Sequence, residues 1–139
     1  FTKLFGANKR RLAYISTVIY FAKVDGHLDE AEEGLIAALI EKLPPKQKEI
    51  AAAFLTDGIS DEQIAKITKP FRNDFGLITI AWHGILADNE FADKEKLAFE
   101  KFVTNFPRAT PDVIEKLKNE AIGYARVKPD QLLEAYISK

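Results

Sequence analysis

The chain has 139 residues, carries 20 Lys and Arg against 21 Asp and Glu for a net charge of −1, and contains no cysteine. That length fits one domain and is enough to bury a core without disulfides or a structural metal. The missing cysteine excludes disulfide frameworks, thiolate nucleophiles, CxxC redox sites and zinc ribbons, and no apolar run approaches the roughly 20 residues of a membrane span.

The basic start (Lys3, Lys9, Arg10, Arg11) leads into an amphipathic pattern, not the apolar stretch of a signal peptide. A cytoplasmic location, at most at the inner face of the membrane, is the expectation. Methionine is absent, position 1 included, as expected of a piece of a longer chain.

Helical periodicity runs through nearly the whole chain and strand alternation is missing, so the expected fold class is all-α. The spacing predicts helices over 8–24, 29–43, 45–56, 60–68, 71–87, 93–106, 111–125 and 129–137. Leu12, Ile15, Ile19 and Ala22 form the first apolar stripe, and Leu35, Leu39 and Leu43 the second. Phe71, Phe75, Ile78, Trp82 and Ile85 form a third, Phe99, Phe102, Val103 and Phe106 a fourth, and Val113, Leu117, Ala121 and Tyr124 a fifth. The aromatic residues fall mostly at this spacing and read as core. Asp29 with Glu32, and Ser60 with Gln63, have capping-box spacing. Thr110 before Pro111 reads as an N-cap followed by proline at the first helical position. Pro44–Pro45, Asp57–Gly58, Pro107 and Pro129 are breaks.

Charge is unevenly placed. Before Val24 all charged residues are basic, whereas ten acids between Asp25 and Glu62 face Lys42, Lys46 and Lys48. The first acids belong to a repeat. Phe21-Ala22-Lys23-Val24-Asp25-Gly26-His27-Leu28-Asp29-Glu30-Ala31-Glu32 matches Gly84-Ile85-Leu86-Ala87-Asp88-Asn89-Glu90-Phe91-Ala92-Asp93-Lys94-Glu95. Asp25 pairs with Asp88 and Glu32 with Glu95, 63 positions apart in both cases. In each copy an apolar helix ends at Asp, a residue suited to left-handed backbone follows, and a new amphipathic helix starts. The repeats, near 12–43 and 75–106, imply two pseudo-symmetric helical hairpins in a single domain over 1–139.

These residues resemble the paired Ala-x-x-Asp-Gly … Glu signature of the tellurite-resistance TerB-like family, a fold also found at the N-terminus of the DjlA membrane co-chaperone. The resemblance runs from about Leu12 to Phe106, and Lys3-Leu4-Phe5-Gly6 fits it loosely. It implies an all-helical bundle of seven or eight helices. It also implies a role in tellurite and other stress resistance, and with no active-site constellation beside the acids that role is expected to be non-enzymatic, with other stress-response or membrane-associated proteins as partners. The family's acidic pairs carry over to Asp25, Glu32, Asp88 and Glu95. The second copy departs at Asn89 for Gly26 and at Ala92 for the capping Asp29.

Asp25, at a helix C-terminus, faces the negative end of the helix dipole at a cost of about 0.3–1 kcal/mol. Backbone N–H groups of the next helix would offset this, and so would a cation. If Asp25, Glu32, Asp88 and Glu95 converge, their hard oxygens favour Ca²⁺ or Mg²⁺. The competing reading makes Glu32 a capping-box residue and Asp25 an Asx turn, with no metal. An EF-hand is excluded, because the twelfth position counted from Asp25 is Ile36 and from Asp88 is Phe99. His27 and His83 read as polar surface or core residues.

No nucleophile elbow, phosphate-binding loop or HExxH motif is present. Three functions compete: an interaction module with an acidic docking face, a metal-dependent hydrolase using the four carboxylates, and a peripheral membrane or co-chaperone accessory domain. In the last, Lys9, Arg10 and Arg11 give weak association with anionic lipid. No nucleic-acid partner is expected. Tellurite reduction needs thiols or a redox cofactor, and the sequence supplies neither.

Overall fold

A computed structural model describes residues 2–24, 30–86 and 93–138, and the side chains among them except those of 2–6, 32 and 129. The described residues form an all-helical bundle without strands. Its helices are α1 (Thr2–Val24), α2 (Glu30–Glu41), α3 (Pro45–Asp57), α4 (Asp61–Thr68), α5 (Gly76–Leu86), α6 (Asp93–Val103), α7 (Pro111–Gly123) and α8 (Pro129–Ile137), with a 3₁₀ turn at Lys69–Phe71.

Two helices are central because their sequences leave almost no polar face. In α1 every residue from Leu12 to Thr17 is buried, as are Ile19, Tyr20 and Phe21. In α5 every residue from Leu77 to His83 is buried, as is Ile85. A helix apolar on all sides must be enclosed. α1 packs against α2, α3, α4, α5, α6 and α8, and α5 against α1, α6, α7 and α8. Each large apolar side chain so buried contributes about 1.5–3 kcal/mol.

The sequence repeat reappears as a burial pattern. Ile36, Leu39 and Leu43 are buried, and so are Phe99, Phe102 and Phe106 at the corresponding positions. Ile15 corresponds to Ile78 and Ile19 to Trp82, all four in the core. The small hydroxyls Ser16 and Thr79 correspond too, and both are fully buried.

Local chemistry fixes several ends. Ser60 Oγ accepts from the Gln63 amide at 3.1 Å, and Gln63 Oε1 accepts from the Ser60 amide at 2.8 Å, closing the expected capping box. Thr110 Oγ1 accepts from the Val113 amide ahead of the helix that Pro111 opens. Gly58 ends α3 at φ 90°, backbone that disfavours a Cβ. The Asp29–Glu32 box lies outside the described residues.

Five expectations need correction. The helix expected over 71–87 begins only at Gly76. Phe71 closes a 3₁₀ turn in which the Arg72 amide reaches Lys69 O, and the Asp74 amide then reaches Phe71 O at 2.9 Å. Phe71 and Phe75 pack half-buried from turns, not from a helical stripe. α1 reaches back to Thr2. α6 ends at Val103, and Phe106 enters the core from the turn beyond it. Leu35 is 38% exposed; α2 buries Ile36, Leu39 and Ile40 instead, which moves the buried face one residue round the helix. Tyr124 lies past α7 and is 37% exposed.

The C-terminal helix is tied to α1 by charge. Arg10 Nε donates to Asp74 Oδ2 at 2.8 Å and its Nη1 donates to Ile137 O at 2.9 Å. Arg11 pairs with Glu134, which Lys42 approaches from α2 at 3.7 Å. Two of the three cations weighed for lipid contact are therefore half-buried and paired. No described helix is long and apolar enough to cross a membrane.

Candidate functional site

The end of α1, the Asp57–Ser60 turn, the start of α4 and one face of α6 enclose an open cleft of about 660 Å³. From α1 come Tyr20, Lys23 and Val24, and from α6 Lys94, Leu97, Ala98 and Lys101. The α6 residues share a face because they recur at three- and four-residue spacing. Ile59 adds to the apolar lining.

Asp61 is the polar hub. Tyr20 donates its hydroxyl to Asp61 Oδ1 at 2.5 Å, and Lys101 Nζ lies 3.3 Å from Oδ2. The Tyr20 hydrogen bond, assisted by Lys101, holds the Asp61 carboxyl below the usual carboxylate range. Burial, reinforced by the Asp61 carboxylate, pushes the Tyr20 phenol well above its ordinary value. The pair is therefore a neutral donor and an anion, suited to bracing α1, α4 and α6 against one another. The Tyr20 ring packs on Phe21 and Phe102 behind it.

Of the four acids singled out in the sequence, Asp25 and Asp88 lie outside the described residues, as does the Glu32 side chain. Glu95 is described. It is 3% exposed, on the core face of α6 shared with Ala98, Phe99 and Phe102. Among the described residues no group of three or more His, Asp or Glu is placed to hold a metal ion. Both acidic segments adjoin the cleft in sequence, since Val24 precedes Asp25 and Lys94 precedes Glu95.

His27 lies outside the described residues. His83 is a core residue, 6% exposed, with Nε2 3.0 Å from Tyr124 O and 3.1 Å from Val127 O. Two carbonyl acceptors require a proton on Nε2.

Sequence reasoning did not single out Tyr20, Asp61, Leu97 or Lys101. The only signal near them was the Ser60–Gln63 box that locates the start of α4. Compared with protein-family models, with curated proteins and with solved structures, the chain finds no match in any of the three.

Proposed function

We propose that this chain is a non-enzymatic interaction module of a stress-response system, of the kind its TerB-like signature implies, and that a partner protein docks in the cleft between α1, α4 and α6. The observation that carries this reading is Leu97, a leucine 54% exposed within a cleft that lysines border. A large apolar side chain left in water on the lining of a concave, charged surface is the anatomy of a docking site. The expected partners are other stress-response or membrane-associated proteins.

The test is photo-cross-linking in the producing cell, with a benzophenone amino acid at position 97 and, as control, at the exposed Glu115 of α7. A discrete protein adduct from position 97 and none from 115 is expected. Equal, diffuse labelling at both positions would end this reading.

A second reading adds a divalent cation, Ca²⁺ or Mg²⁺, at Asp25, Glu32, Asp88 and Glu95. The repeat motivates it, because it sets Asp25 opposite Asp88 and Glu32 opposite Glu95 at equivalent positions, although the buried Glu95 already has an interaction of its own within the protein. Titration of the metal-free protein with each ion, followed by amide shifts over 25–32 and 88–95, tests it. Shifts that fail to saturate would dismiss the cation. Nothing described favours the hydrolase or the lipid-facing accessory domain over these readings.

A further inference from the structure

Resting on the docking reading above, we infer that the cleft recognises a short acidic segment of a partner protein that carries an apolar anchor residue. The lining supplies the anchor's seat, with Val24, Ile59, Leu97 and Ala98 as its apolar residues. The same lining supplies the charge. Lys94 and Lys101 bracket Leu97 along α6, one turn to either side, and Lys23 stands at the end of α1. Lys101 already meets Asp61, whereas Lys23 and Lys94 pair with no carboxylate among the described residues.

The balance of charge selects the class of ligand. Lys23, Lys94 and Lys101 face Asp57 and Asp61, so the lining is only weakly positive. Asp57 and Asp61 would repel the closely spaced phosphates of a nucleic acid. One or two carboxylates placed against Lys23 and Lys94 would be matched. The openness of the cleft agrees, because a small molecule is held by burying most of its surface. A peptide laid across it would cover Leu97 and keep its own backbone in water.

The experiment is selection of a displayed random-peptide library on the whole protein. Enriched peptides are then measured by fluorescence anisotropy and mapped by amide shifts. They are expected to carry acids around a Leu, Ile or Phe and to move the amides of Tyr20, Ile59 and Leu97. Their Kd should rise at least about tenfold in Lys23→Gln/Lys94→Gln and in Leu97→Ser. Lys94 and Leu97 are exposed, so Lys94→Gln/Leu97→Ser provides a folded variant if Lys23→Gln lowers stability. Enriched peptides that map to the cleft but lack acids would overturn the inference and leave the docking cleft standing. Peptides that map elsewhere, or no enrichment at all, would overturn both. Tighter binding of a single-stranded oligonucleotide at Lys23 and Lys94 would replace the peptide with nucleic acid.

Discussion

Tyr20 and Asp61 lie 41 positions apart in sequence, and the tyrosine hydroxyl reaches the carboxylate at 2.5 Å. The bond joins the last turns of α1 to the first residue of α4. Tyr20→Phe removes the donor and leaves the ring packed, so the expected loss is about 1 kcal/mol at neutral pH. The sign of its pH dependence follows from Asp61, whose folded-state pKa is lowered. Its stabilisation is present above the unfolded carboxylate value near ~3.9 and is lost as pH falls through the folded value. Urea unfolding of both proteins should therefore show a gap at pH 7 that closes in acid. A gap constant down to the acid limit would assign the loss to packing.

The network at Asp74 sets a steeper demand. Tyr14 is fully buried, its hydroxyl donates to Asp74 Oδ1 at 2.7 Å, and Arg10 holds the other oxygen. Asp74→Ala strands a buried hydroxyl and a half-buried guanidinium, so about 1–3 kcal/mol is expected to be lost. In a Tyr14→Phe background, where no hydroxyl is stranded, the same substitution should cost less, and additive losses would show that the two groups are not coupled.

Gly76 stands in the same corner. A Cβ there would come within 2.7 Å of Tyr136 Cδ1 and closer still to the Tyr14 hydroxyl. Both rings are held in the core, stacked with centroids 6.1 Å apart, so neither can yield freely. Gly76→Ala is expected to destabilise by about 1–3 kcal/mol through overpacking, although alanine is the better helix former. A Tm equal to or above that of the parent would refute the crowding.

The helices were legible where local chemistry is decisive. The Ser60 and Thr110 caps and the breaks at Pro44–Pro45 and Gly58 are carried by neighbouring residues, and they fell where expected. The start of α5 was not legible, because Phe71 and Phe75 keep helical spacing with Ile78 while the chain between them turns. What orders that turn includes Arg10, 64 positions away. The cleft was hidden for the same reason: its hub joins Tyr20, Asp61 and Lys101 from three helices, and no local spacing marks such a meeting. Leu35 failed as a core residue because Ile36, Leu39 and Ile40 offer a more continuous apolar face one residue on.

His83 is expected to hold the end of α7 through one proton. Its Nε2–H serves the carbonyls of both Tyr124 and Val127. His83→Leu keeps the volume and removes the donor, so about 1–3 kcal/mol should be lost, with faster amide exchange over 124–128. Nitrogen shifts of the imidazole should report a proton on Nε2. A ring protonated at Nδ1 alone could not make these bonds.

The role of Glu95 can be decided by a substitution that separates its two readings. If protein groups alone satisfy the buried carboxylate, added metal does nothing to the stability. Under the cation reading the carboxylate charge is indispensable. An ion at about a hundredfold excess over its Kd then stabilises the parent by about 2.7 kcal/mol, a Tm rise on the order of 10 °C for a domain of this size. The single tryptophan supplies a second readout. Trp82 packs on Phe99 with ring centroids 4.1 Å apart, and Phe99 lies one helical turn beyond Glu95 on the same buried face. Binding at the α6 turn should alter its emission along with the melting temperature. In Glu95→Gln both responses to Ca²⁺ and Mg²⁺ should vanish. A melting curve that ignores both ions in the parent as well would leave Glu95 as a core residue satisfied by the protein itself, and the cleft at Leu97 would then stand as a docking surface without a cation beside it.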